Sequence, residues 1–159
     1  MQTDVRNINI LLQTVYFLSQ NHEEINNKIN LIINKLENKK DIVNNELSVS
    51  HNFLNLATAN ETQKQIILSQ KTLELARAIQ EEIAALSSGN PIAITIATSL
   101  VARATHEEMV ANIEFQNARQ NRINMEMRVE IVSRAKYNID QLYERSKLEF
   151  NSQITIINN

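Results

Sequence analysis

Residues 94–150 read ITIATSLVARATHEEMVANIEFQNARQNRINMEMRVEIVSRAKYNIDQLYERSKLEF, and their spacing decides the fold. Alternating steps of three and four from Ile94 land on Ala97, Val101, Ala104, Glu108, Ala111, Phe115, Ala118, Arg122, Met125, Val129, Val132, Lys136, Ile139, Tyr143, Ser146 and Phe150. Most of these are apolar, and no Gly or Pro interrupts them. A repeat of 3.5 residues keeps one stripe of a helix turned toward a neighbouring helix along its whole length. At about 1.5 Å per residue such a helix runs roughly 90 Å. Its stripe therefore needs other long helices, from this chain or from other copies, to cover it. Ile94, Val101, Phe115, Met125, Val129, Val132, Ile139, Tyr143 and Phe150 are the candidate assembly seam.

The rest of the chain points the same way. One Gly and one Pro in 159 residues leave little material for hairpin turns, bulges or phosphate-cradling loops. Apolar residues reach 43% while aromatics stay at 4%, a balance that suits seams between helices better than a compact core. A first seam runs through Ile8, Leu11, Val15, Leu18, His22, Ile25, Ile29, Ile32, Leu36, Lys39 and Val43, which predicts a helix over about 4–47. Ser48-Val49-Ser50-His51-Asn52 reads as a break, because Ser and Asn side chains compete with the helix for backbone hydrogen bonds. Asn60-Glu61-Thr62-Gln63 has the form of a capping box. Leu68, Leu75, Ile79, Ile83 and Leu86 then predict a helix over about 61–87. Gly89 suits a left-handed helix terminus, Asn90 a cap and Pro91 a first turn, so the chain reverses at 87–91 and a third helix covers about 91–152. The expectation is a single elongated all-α domain over 1–159. It holds three long helices, or four if Phe53–Ala59 forms its own, with coiled-coil-like heptad seams and a helical hairpin.

Chemistry is hard to find. A net charge of −2 provides no field to recruit nucleic acid, and between Arg103 and Glu149 eight basic residues face eight acidic ones. With no Cys there is no disulfide, thiol nucleophile or thiolate metal site. His22, His51 and His106 stand apart in sequence. Neither His22-Glu23-Glu24 nor His106-Glu107-Glu108 continues into the His-Glu-x-x-His of a zinc helix, since Asn26 and Val110 occupy the fourth place. No Gly-rich strand–turn–helix context frames a nucleophile. No catalytic residue, cofactor or metal ligand is expected, and the chain reads as non-enzymatic. The 22 Asn residues sit between periodic apolar positions without forming a run, which fits an AT-rich coding sequence.

Glu108, Arg122 and Lys136 interrupt the long seam, where charges select partners and register. The N-terminus lacks the basic and apolar runs of a secretory signal. The apolar stretch Ile92–Ala102 is about half the length of a spanning helix. That stretch supports an alternative from another class. Carried at the end of a hairpin, Ile92, Ile94, Ile96, Leu100 and Val101 form an apolar tip able to enter a lipid interface or line a channel. A soluble helical adaptor or secretion partner is a third reading.

From Ser88 to Gln153, less than half of the chain, the sequence resembles the small internal virion proteins of short-tailed bacteriophages that are ejected ahead of the genome. The features concerned are the Ile/Ala segment Asn90–Ala102 and a helix dense in Gln, Asn and Arg. Gln116-Asn117-Ala118-Arg119-Gln120-Asn121-Arg122 and Glu144-Arg145-Ser146-Lys147-Leu148-Glu149 carry the likeness. It implies a multi-copy, helical, non-enzymatic component of a virion or its ejection channel. Its partners would be further copies or other helical proteins, in the virion or the cytoplasm of the producing cell, with no sequence-specific nucleic acid.

Overall fold

The computed structural model describes residues 2–157, with side chains from Ile10 to Ser152 except Val15. Two helices account for nearly all of it: α1 over Gln2–Ser88 and α2 over Pro91–Ile157. No strand occurs among the described residues. The protein is all-α, with two helices where the sequence suggested three or four. The expected break at Ser48–Asn52 and the capping box at Asn60–Gln63 both lie inside α1. Unfavourable helix propensity there amounts to a few tenths of a kcal/mol per residue. Ser50 and Ala57 are buried and Leu47 and Leu54 half-buried across this stretch, so packing outweighs propensity. Thr58 and Thr62 donate their hydroxyls to the carbonyls of Leu54 and Thr58, which removes them as competitors for the helix backbone.

The turn forms around Gly89 and Asn90. Gly89 takes φ of 67° and donates its N–H to the Leu86 carbonyl at 3.2 Å, closing α1 in the left-handed conformation that glycine tolerates best. Asn90 caps α2: its Oδ1 accepts the N–H groups of Ile92 at 3.0 Å and Ala93 at 3.4 Å. Pro91 occupies the first helical position, where its missing N–H leaves nothing unsatisfied.

The chain divides into two units. One comprises Leu47–Val132, the turn and the helical arms on either side of it. Its arms are antiparallel and in fixed register: Lys64 pairs with Glu114 at 2.7 Å, and one heptad further along α1 Lys71 pairs with Glu107, one heptad back along α2, at 2.8 Å. The most buried side chains here are small: Ser50, Ala57 and Ala78 on α1, and Ala97, Ala111 and Ala118 on α2. Small residues on both faces let helix axes approach closely, and the separation of a helix pair follows the side chains between them.

The other unit comprises residues 1–46 and 133–159. Its arms also run antiparallel, with Glu37 bonded to Tyr143 and, three residues on, Lys40 paired with Asp140. The seam expected on α1 is corrected in this unit. His22, Ile29, Leu36 and Val43 are half-buried, but Leu11, Leu18, Ile25, Ile32 and Lys39 are exposed. Asn26, Ile33 and Lys40 take the inner places between them. Ile25/Asn26 and Ile32/Ile33 are adjacent pairs, so the apolar pattern defines two overlapping stripes, and the partner arm selects one. In the selected stripe Lys40 reaches Asp140 and the Tyr143 ring. The side chains of Ile8 and Val15 lie outside the described residues.

Ser50 is fully buried, and its hydroxyl has no hydrogen-bond partner. An unsatisfied buried hydroxyl carries its full desolvation penalty, and Ala is the better helix former. Ser50→Ala is expected to stabilise the protein by about 1–2 kcal/mol, raising the melting temperature by roughly 2–8 °C. A lower melting temperature would show that the hydroxyl is satisfied after all.

Candidate assembly surface

All nine residues assigned to the assembly seam lie on the inner side of α2: Tyr143 is buried, and Ile94, Val101, Phe115, Met125, Val129, Val132, Ile139 and Phe150 are half-buried. Within each unit that face is covered by the chain's own α1 arm, so it is not the surface left for other copies.

The charges that interrupt the seam are answered across it. The Arg122 guanidinium bonds Glu61 on the opposite arm and Glu126 on its own. Thr72 donates to Glu108 at 3.4 Å. Lys136 pairs with Asp140, which also meets Lys40 from α1. A slip of one heptad would leave Arg122 and Glu61, both largely removed from solvent, without each other. These pairs therefore set the register of the hairpin itself.

They also make the fold sensitive to acid. Lys71 donates to Glu107 and holds its carboxyl below the ordinary carboxylate range, with Arg103 and His106 adding to the effect. Lys136, and secondarily Lys40, do the same to Asp140. Stability from carboxylates whose pKa falls on folding is present above their ordinary values and is lost as pH drops through the folded values. Lys71, raised chiefly by Glu107, and Arg122, raised chiefly by Glu61, contribute fully below their ordinary pKa and lose that contribution only in strong base. The urea midpoint is therefore expected to stay level from about pH 5 to pH 10 and to fall below about pH 4. Equal midpoints near pH 7 and pH 2.5 would rule this out.

Outside the seam the surface is unusually apolar. In the Leu47–Val132 unit, Val49, Phe53, Leu56, Ile66, Leu73, Ile79, Ile83 and Leu86 on α1 are exposed, as are Met109, Ile113, Met127 and Ile131 on α2. The other unit exposes Ile10, Leu11, Leu12, Tyr16, Phe17, Leu18, Leu31 and Ile42 on α1, and Tyr137, Leu142 and Leu148 on α2. In the Leu47–Val132 unit the most buried side chains are small, and in both units many large apolar ones stand exposed. Reading the seam from sequence missed this surface. The signal was present in the apolar residues that fall off the heptad stripe.

The tip residues separate into two groups. Ile92 and Ile96 are exposed, whereas Ile94, Leu100 and Val101 turn toward the other arm. From Ile83 to Ala102 the sequence contains no Asp, Glu, Lys or Arg. Among the described residues no helix is long and apolar enough to cross a membrane, and no cluster of three potential metal ligands occurs. No protein-family model, curated protein or solved structure matches the chain.

Proposed function

We propose that the protein is a non-enzymatic structural component that works by assembling, through the apolar outer faces of its long helices, with further copies of itself or with other helical proteins. The single observation behind this is the inverted distribution of apolar side chains. The most buried side chains of the Leu47–Val132 unit are alanines and one serine, and in both units long aliphatic residues stand exposed on the outer faces. Soluble monomers rarely expose contiguous apolar patches larger than a few hundred Å². Neighbouring helices covering those faces would remove that surface from water at roughly 25 cal/mol per Å². A multi-copy role in a phage-like virion or its ejection channel is the setting we favour, supported by the compositional likeness over Ser88–Gln153. Sedimentation equilibrium of the full chain tests the assembly: oligomers are expected at micromolar concentration. A monodisperse monomer at about 100 μM, where even weak encounters populate, would overturn the reading.

The uncharged turn region supports a second reading, contact with a lipid interface. Ile83, Leu86, Ile92 and Ile96 are exposed there, and Ser87, Ser88, Thr95 and Ser99 each donate their hydroxyl to a helix carbonyl. Polar groups satisfied internally lower the penalty of leaving water. Under this reading the protein releases dye from liposomes and Ile96→Asp abolishes the release; equal release by the variant excludes the tip.

A further inference from the structure

Of the two overlapping stripes that α1 carries over residues 22–43, the fold uses one. Both contain His22, Ile29, Leu36 and Val43, which are half-buried. Between these the structure turns Asn26, Ile33 and Lys40 inward and leaves Ile25, Ile32 and Lys39 exposed. Each exposed residue directly precedes its inner counterpart, and the three pairs recur at heptad spacing. At about 100° per residue, exchanging half of a stripe for its neighbours turns the helix by roughly 50°. The exchange is nearly neutral in residue type. Lys39 answers to Lys40 and Ile32 to Ile33, while Ile25 suits an inner place better than Asn26, whose amide loses water there.

Space for the turn exists. A hollow of about 160 Å³ lies between Ile29, Ile32 and Ile33 on α1 and Ser146, Glu149 and Phe150 on α2. Ile32 stands at its rim, 52% exposed, and the turn carries it inward. Three contacts oppose the turn. Lys40 rests 4.4 Å from the Tyr143 ring centroid, and Tyr143 donates to Glu37. The third is loose: Lys40 Nζ stays 3.6 Å from Asp140 Oδ1, an oxygen buried without a hydrogen-bond partner. Joining the second stripe to the remainder of α1 inserts one stutter at Val43–Leu47, a step of four after a step of four, which helices absorb by local unwinding.

We infer that the α1 arm over residues 22–43 has two rotational settings. The second, turned by roughly 50° from the observed one, buries Ile25 and Ile32 in place of Asn26 and Ile33 and offers Lys39 to Asp140. The two settings present different outer surfaces: Ile25 and Ile32 stand out in the first, Asn26 and Ile33 in the second. The device is internal to one chain and holds whether or not the protein assembles.

Thiol alkylation of the full chain tests this, since the chain has no native Cys. Ile32→Cys and Ile33→Cys are each made in two backgrounds. Asn26→Ile favours the observed setting by giving it an apolar inner residue. Asn26→Asp with Lys40→Glu favours the second, by placing carboxylates at two inner positions, one of them against Asp140. In the first background the thiol at position 32 is expected to react roughly 10-fold faster than the thiol at 33, and in the second the order should reverse by a similar factor. An unreversed order in the second background overturns the inference, whether the thiol at 32 stays faster or both react fast because the arm has detached. Each rate is read at two protein concentrations. An order that changes with concentration reports cover by another copy and likewise overturns the rotation.

Discussion

Ala111→Leu together with Ala118→Leu is expected to destabilise the protein by about 2–6 kcal/mol, because each overpacks a close helix contact by about 1–3 kcal/mol. The melting temperature should fall by roughly 5–20 °C. Both alanines are buried, and with Ala97 they recur at heptad spacing on the face that α2 turns to α1. A leucine at either position has nowhere to go without pushing the arms apart. Parting the arms stretches the Lys71–Glu107 and Arg122–Glu61 pairs that flank the two alanines and the Lys64–Glu114 pair between them. The two positions are one heptad apart, about 10 Å along the axis, so their effects should nearly add. Ala84→Leu on the exposed side of α1 is the matched control and should change stability by less than about 0.5 kcal/mol. Urea titration of the two single variants, the double variant and the control distinguishes the cases. If the double variant proves as stable as the wild type, small residues are not what brings the arms together, and the inside-out distribution of side chains loses its cause.

That distribution also explains how far the sequence could be read. The α2 stripe from Ile94 to Phe150 was legible because one set of heptad positions in it is mostly apolar with only scattered interruptions, and the structure places the whole set inward. Gly89 and Pro91 marked the turn because few other residues serve a left-handed terminus or a first helical position. The α1 stripe was less determinate. Ile25 and Ile32 are as apolar as Ile33, so the choice between neighbouring stripes falls to the partner arm, where Lys40 faces Asp140 and the Tyr143 ring, long-range contacts that local spacing does not reveal. Ser50 misled for a related reason. Serine is a poor interior helix residue by propensity, yet at a close contact its small volume suits the place where the arms meet. The assembly surface was the least legible of all. Heptad periodicity identifies a covered stripe but does not say whether the cover comes from the same chain, and here it does.

Where the Leu47–Val132 unit closes on alanines, the other unit closes on an aromatic, and Tyr143→Ala should have the larger effect of any single truncation there. Tyr143 is 7% exposed. Its hydroxyl donates to Glu37 at 2.7 Å, and its ring carries the Lys40 ammonium 4.4 Å from the centroid and Lys147 at 5.1 Å. Truncating a buried aromatic to alanine costs about 3–5 kcal/mol. A graded series separates the contributions. Tyr143→Phe keeps the ring face and loses the hydroxyl's contacts with Glu37 and Lys147, so about 1 kcal/mol is expected. Tyr143→Leu keeps most of the apolar burial but removes the face on which two ammonium groups rest, each worth about 0.5–1 kcal/mol at an accessible site. Stability should therefore fall in the order Phe, Leu, Ala, read as urea midpoints and as faster amide exchange around Glu37 and Tyr143. If Leu matched Phe, the cations would contribute nothing and burial alone would account for the residue. An alanine variant within about 1 kcal/mol of wild type would mean that the antiparallel pairing of residues 1–46 with 133–159 does not depend on its one buried aromatic.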